Sequence, residues 1–190
     1  MYATGLSKTI VDSAAEVLET MCFACVLGLA EPEALAERDN ISSTVRFAGD
    51  LAGSMSVTVP QPYARNLASS FLGITEVEVS PLVTRQFVSE LTNMICGCVL
   101  TGLDSQGAFQ LFTPTVQQAP GVRVVPEPVS GPWIVRPEPV TAVGDPAAEE
   151  SSPAADAGEA PGPRCLHVLD TGDGVIAVGL QLETADERRQ

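Results

Sequence analysis

A proline-rich, acidic stretch divides this 190-residue chain, and any fold must be assembled from what lies on either side of it. Ten of the 15 prolines fall between Gln117 and Pro163, among seven acidic and two basic residues, and from Pro146 to Pro163 nothing apolar is larger than alanine. A segment of this kind buries too little apolar surface to offset the entropy of ordering, so it is expected to be largely disordered. Val122 to Val125 and Trp133-Ile134-Val135 are the places where it can pair locally or dock. Strand-like runs resume at Cys165 to Leu169 and Val175 to Leu182, around Thr171-Gly172-Asp173-Gly174, whose Asp-Gly supplies a hairpin turn. The stretch is therefore an insert. The expected division is 1–116 as the first part of one domain, 117–163 as insert, 164–183 as a hairpin completing the domain, and 184–190 as a polar tail.

Before the insert, Ile10, Ala14, Val17, Leu18, Met21, Cys22, Cys25 and Leu29 recur at spacings of three and four opposite Asp12, Glu16 and Glu19. This predicts an amphipathic helix from Ser7 to about Leu29, ended by Glu31-Pro32. Thr44 to Ala48 and Ser54 to Val59 read as the strands of a hairpin around Gly49-Asp50-Leu51-Ala52-Gly53. Pro60 and Pro62 suit the opening turn of a second helix, with Ala64, Leu67, Ala68, Phe71 and Leu72 on the side that faces the sheet, stopping at Gly73. Ser80 is an N-cap and Pro81 a first helical residue for a third helix reaching about Leu103. Phe109 to Thr113 is a strand running into Pro114. The fold class expected is α/β of the α+β type, a mainly antiparallel sheet with helices packed across it.

The formal charge of −14 argues against a nucleic-acid backbone or an anionic membrane surface as partner, because like charges repel the approach. The longest apolar run, Met21 to Ala30, covers about half the roughly 20 residues that span a bilayer and follows acidic residues, so neither a signal peptide nor an anchor is expected. Five cysteines without a regular framework point to a reducing compartment, and the chain reads as cytoplasmic. Cys22-x-x-Cys25 and Cys96-x-Cys98 do not make a zinc site: the first pair shares a helical face, but the second is splayed by about 200° on its helix, so buried thiols are expected. His167, the sole histidine, has no triad partners, and Gly172-Asp173-Gly174 lacks the helix and lysine of a phosphate loop.

The third helix holds the residues of interest. With Glu90 at zero on a wheel of about 100° per residue, Gln86 falls at about −40°, Asn93 at about −60° and Gly97 at about −20°. Phe87, Val88, Leu91, Met94, Ile95, Cys98 and Val99 fill an arc from about 40° to 180°, wide enough to face a core. Asn93 is less favourable than alanine in mid-helix by about 0.6 kcal/mol and Gly97 by about 1 kcal/mol. Together the four residues suggest a docking face.

The run Glu90-Leu91-Thr92-Asn93-Met94-Ile95-x-Gly97, with Phe112-Thr113-Pro114-Thr115-Val116 about 20 residues later, resembles the Glu-x-x-Asn signature and trailing proline of the CheC, CheX and FliY phosphatases of bacterial chemotaxis. The first helix with Glu16 to Met21, the hairpin with Gly49 and Gly53, and the helix ending Phe71-Leu72-Gly73 follow the order of CheX-like domains. The resemblance implies that Asn93 enters the active site of a phosphorylated receiver domain and orients the water that attacks its aspartyl phosphate. It implies that Glu90 pairs with the receiver's lysine and fixes the register, with Gln86 and Gly97 as partner-facing neighbours. No cofactor is implied on this chain, since Mg2+ belongs to the receiver. A homodimer joined through sheet edges is implied as possible in form, with one site per chain, because Glu16-x-x-Glu19 on the first helix lacks the Asn of a second signature. Gln86 stands where the family often has Asp or Ser, and Pro114 comes slightly early. A binding module of the same fold that engages a receiver or signalling partner without hydrolysis is the alternative, and the pathway is chemotaxis or another two-component circuit.

Overall fold

A computed structural model describes residues 2–35, 39–104, 106–120 and 164–183. The elements run α1 (Tyr2–Cys22), β1 (Gly28–Ala30), a 3-10 turn (Pro32–Leu35), β2 (Asp39–Gly49), β3 (Gly53–Pro60), α2 (Gln61–Leu72), α3 (Pro81–Leu103), β4 (Phe109–Leu111), β5 (Thr115–Pro120), β6 (Arg164–Asp170) and β7 (Val175–Leu182). They form one antiparallel sheet in the order β1-β6-β7-β3-β2, with β4 and β5 in succession along the outer side of β2. The expected α+β class is what the structure has.

Alternation along the central strands decides which face carries the helices. Ile41, Val45 and Phe47 of β2, Met55, Val57 and Val59 of β3, and Ile176, Val178 and Leu180 of β7 are buried in one core with residues of all three helices. The register brings them side by side: Val45 lies opposite Met55, and Met55 opposite Leu180. The alternate residues Ser42, Thr44, Ser54, Ser56 and Thr58 are half-buried on the other face, where the hydroxyls of Ser42 and Thr58 bond at 2.8 Å. There the 3-10 turn plants Leu35 against Val168 and Ala177. Two parallel crossovers thus move the same way across the sheet from oppositely directed strands, β1 to β2 on the Leu35 face and β3 to β5 on the helical face. That gives both one hand, as the right-handed crossover rule requires.

Helix boundaries follow local chemistry. In α3 the Ser80 hydroxyl accepts from the Val83 N–H at 3.3 Å and Pro81 occupies the first turn, as expected. α2 ends at Gly73 in the left-handed region (φ 65°). It buries Tyr63, Ala64, Leu67 and Ala68, whereas Leu72, expected on its sheet-facing side, is exposed.

Four expectations need correction. α1 stops at Cys22 and not near Leu29, because Phe23 turns into the left-handed region (φ 56°) and the Ala24 N–H closes on the Leu18 carbonyl. The apolar run beyond it supplies β1, whose Leu29 pairs with Leu169, so Cys22 and Cys25 share no helical face. The strand at Phe109 ends at Leu111, and a second one resumes at Thr115. Pro114, lacking an N–H, falls in the break between two pieces that both pair with β2. The hairpin strands also extend to Gly49 and Gly53, leaving Asp50-Leu51-Ala52 as the connection. The first four residues of the segment read as insert, 117–120, are the end of β5. Its remainder and the tail lie outside the described residues.

The connection after α3 is clamped onto the hairpin end. The Asp50 carboxylate accepts from the Ala108 N–H at 2.8 Å, and a Cβ built on Gly49 (φ 143°) would stand 2.0 Å from the Ala108 carbonyl oxygen. Gly49→Ala combines backbone strain with a steric clash and is expected to cost about 2 kcal/mol or more, read as a lower urea midpoint at unchanged m. An unchanged midpoint would show that this clamp does not fix the end of α3.

Candidate functional site

α3 is held from three sides. It packs over β2, β3 and β5 and against α1 and α2. The Phe87 ring meets Phe71 of α2 with centroids 5.5 Å apart, and a Cβ on Gly102 would come within 2.8 Å of Thr9 Cγ2 on α1. Its buried residues are Thr84, Phe87, Val88, Leu91, Thr92, Ile95, Cys96, Val99 and Leu100. Thr92, Cys96 and Leu100 fall at about 200°, 240° and 280° on the wheel, so the buried arc is far wider than the 180° limit expected from sequence. Apolar periodicity missed this flank because threonine and cysteine signal burial weakly. Thr92 is accommodated by donating its hydroxyl to the Val88 carbonyl at 2.7 Å.

What stays outside is a strip along the helix. Gln86 and Glu90 are exposed, and Asn93 and Gly97 are half-buried. The four residues singled out from sequence thus lie along one face of one rigid element. Leu82 and Thr101, at about −80° and 20°, extend the strip at either end and are exposed; Leu82 shares its wheel angle with the buried Leu100, so that angle is open at the first turn and covered near the last. The wheel angle of Leu82 was the available signal, but a leucine in the first turn reads as core. Glu90 is the strip's sole charged residue and makes no ion pair with any described residue.

Asn93 sits where the strip meets the buried arc, on the flank away from α1 and α2. Its Oδ1 is buried and has no hydrogen-bond partner among the described residues. Leaving a buried acceptor unmade costs about 1–3 kcal/mol, on top of asparagine's poor helix propensity. Gly97 shows the same pattern. A Cβ on Gly102 would crowd Thr9 of α1 at 2.8 Å, but a Cβ on Gly97 would meet nothing within 4 Å. Its cost of about 1 kcal/mol relative to alanine is therefore not offset by packing within the described fold. One turn apart, Gly97 leaves open space beside the helix, and Asn93 holds an acceptor that is covered in this conformation and reaches a group outside the chain by rotation of its side chain.

The rest of the titratable chemistry lies elsewhere. Burial pushes the Cys22 thiol up to about 11 and the Cys96 thiol up to about 12, while Cys25 is exposed. Burial, with the Glu16 carboxylate second, also raises Cys98, which places Glu16 of α1 alongside α3. Glu16 and Glu19 are both exposed. His167 is lowered by burial, and its Nε2 has no partner among the described residues. A cleft of about 970 Å³ near Tyr63, Arg65, Asn66, Glu76 and Asp173 includes none of the strip residues. Among the described residues, no helix is long and apolar enough to cross a membrane.

A family model described as chemotaxis phosphatase CheX matches residues 41–133. No curated protein matches the sequence. Among solved structures, the chemotaxis protein CheX of Vibrio vulnificus is 18% identical with a TM-score of 0.60, the match covering 94% of this chain and 96% of that one. CheX of Desulfovibrio desulfuricans is 21% identical at a TM-score of 0.58, covering 94% and 99%. A CheX-CheY-BeF3-Mg2+ complex from Borrelia burgdorferi is 15% identical at 0.56, covering 94% and 97%. The family-model match spans 93 of the 190 residues, and the solved CheX structures have the same fold as this chain.

Proposed function

We propose that this protein is a phosphatase that hydrolyses the aspartyl phosphate of a response-regulator receiver domain, with Asn93 positioning the water and Glu90 fixing the register. The observation that carries the reading is the unpartnered Oδ1 of Asn93 on an open strip beside Gly97. The CheX-CheY complex of Borrelia burgdorferi supports a receiver as partner.

Phosphoryl transfer asks little covalent chemistry of a protein beyond placement and charge stabilisation. An amide both accepts and donates, so Asn93 Oδ1 can accept a hydrogen bond from the water, aiming the water's lone pair at phosphorus, while Nδ2 faces a phosphoryl oxygen. The water oxygen bonds to phosphorus as the bond to the aspartate oxygen breaks, leaving a free carboxylate and orthophosphate. A neutral side chain does this without setting a second negative charge beside the phosphoryl group. Glu90, one turn away and without an ion pair among the described residues, is available to a lysine of the partner. The divalent cation, supplied by the receiver, would neutralise charge on the phosphoryl oxygens. Within the same reading, a second copy would add at the outer strands β1 or β4–β5.

The test is decay of acetyl-phosphate-labelled receiver domains, taken as a panel from the same genome. Wild type is expected to accelerate decay of at least one. Asn93→Ala is expected to lose 100-fold or more in rate with binding retained, and Glu90→Ala to weaken binding. Binding without any acceleration by wild type would leave the non-catalytic binding module, to which Gln86 in place of the usual Asp or Ser is suited. The same variant carries a second expectation: Asn93→Ala removes an orphaned acceptor and a poor helix former, so its folding stability should rise by about 1 kcal/mol in urea. A fall in stability would mean that Asn93 is a structural residue.

A further inference from the structure

The strip on α3 is polar in the middle and apolar at one end. Leu82 lies one helical turn before Gln86 on the same face and is 57% exposed, while Val77, in the connector that leads into the helix, is 88% exposed. Neither is left out for want of a core to enter, because the same connector buries Val79 at 1%. The turn that presents Val77 is built, with Thr75 donating its backbone N–H and hydroxyl to the Glu78 carboxylate at 3.0 and 2.7 Å. The Val79 N–H then bonds the Glu76 carbonyl at 3.2 Å, and Ser80 caps the helix. Two aliphatic side chains are thus held outward by a hydrogen-bonded corner that joins a rigid helix. At the far end, 19 residues or about 28 Å along the axis, the strip closes on Thr101, which is turned back onto the Gly97 carbonyl at 2.9 Å.

We infer that Val77 and Leu82 are the apolar anchor of the receiver-docking surface, so that the partner lies with its phosphoaspartate over Asn93 and an apolar patch of its own against the N-terminal end of α3. This rests on the reading of Asn93 and Glu90 given above. Glu90, Asn93 and Gly97 set register and leave room for chemistry, but exposed polar contacts contribute specificity and association rate more than affinity. Affinity comes from a few apolar side chains that become fully covered. The strip has such side chains at one end, which fixes the polarity of docking and makes these two residues determinants of which receivers are accepted.

The experiment uses the full chain and the receiver whose decay wild type accelerates most. Val77→Asp and Leu82→Asp are each expected to raise KM about ten-fold with kcat unchanged, and Leu82→Met to stay near wild type. Both positions are exposed, so thermal unfolding of the variants should match wild type. Dissociation constants for the beryllofluoride-loaded receivers of the panel are measured in parallel, so that docking is read even where hydrolysis is absent. A weakened Kd in a protein without turnover would support the anchor while overturning the phosphatase. Unchanged KM and Kd in both aspartate variants would overturn the anchor and leave the phosphatase standing. Failure of every receiver to bind wild type would overturn both.

Discussion

Everything at the site depends on how α3 is seated on the sheet. Leu91, Ile95 and Val99 are fully covered, Phe87 is wedged on Phe71, and Gly102 admits Thr9 of α1 at a distance no Cβ would allow. Each fully buried aliphatic side chain contributes about 1.5–3 kcal/mol, so this seat holds the helix far more firmly than one poorly placed side chain can loosen it. The helix ends are fixed as well, by the Ser80 cap at one and the Asp50–Ala108 clamp at the other. A side chain on the outer strip therefore has its direction set by the core beneath it, the kind of preorganisation that catalysis by placement needs.

That surplus lets α3 carry residues that do nothing for its own stability. Asn93 and Gly97 each oppose the helix, and neither is compensated by a contact among the described residues. The same helix shows what compensated versions look like. Gly102 has α1 against it, and Thr92 returns its hydroxyl to Val88. The contrast within one helix separates residues that the fold compensates from residues that it does not more sharply than exposure does, because exposed polar residues are ordinary.

Sequence reasoning reached the parts whose cause is local. Ser80-Pro81 and the 3.6-residue period placed α3, Gly73 stopped α2, and the wheel put Glu90 and Asn93 on one face. It failed where the cause was distant or unusual. Phe23 ends α1 in a conformation normally left to glycine, and β1 exists through pairing with Leu169, some 140 residues away. Pro114 read as a terminator, but its missing N–H falls between two strands on one neighbour. The orphaned oxygen of Asn93 and the open space at Gly97 are facts of three-dimensional surroundings, and periodicity has no access to them.

Charge explains why an amide suits position 93. The chain carries −14, and under the proposed function a phosphorylated receiver would bring a dianionic group to it. Each further carboxylate near that group would add repulsion, the more so where a partner covers it and screening is weaker. The strip answers with five uncharged residues and one carboxylate, Glu90, set a helical turn from Asn93 and free to meet a cation of the partner. Under the proposed function the negative charge would serve register, and the uncharged amide the reaction.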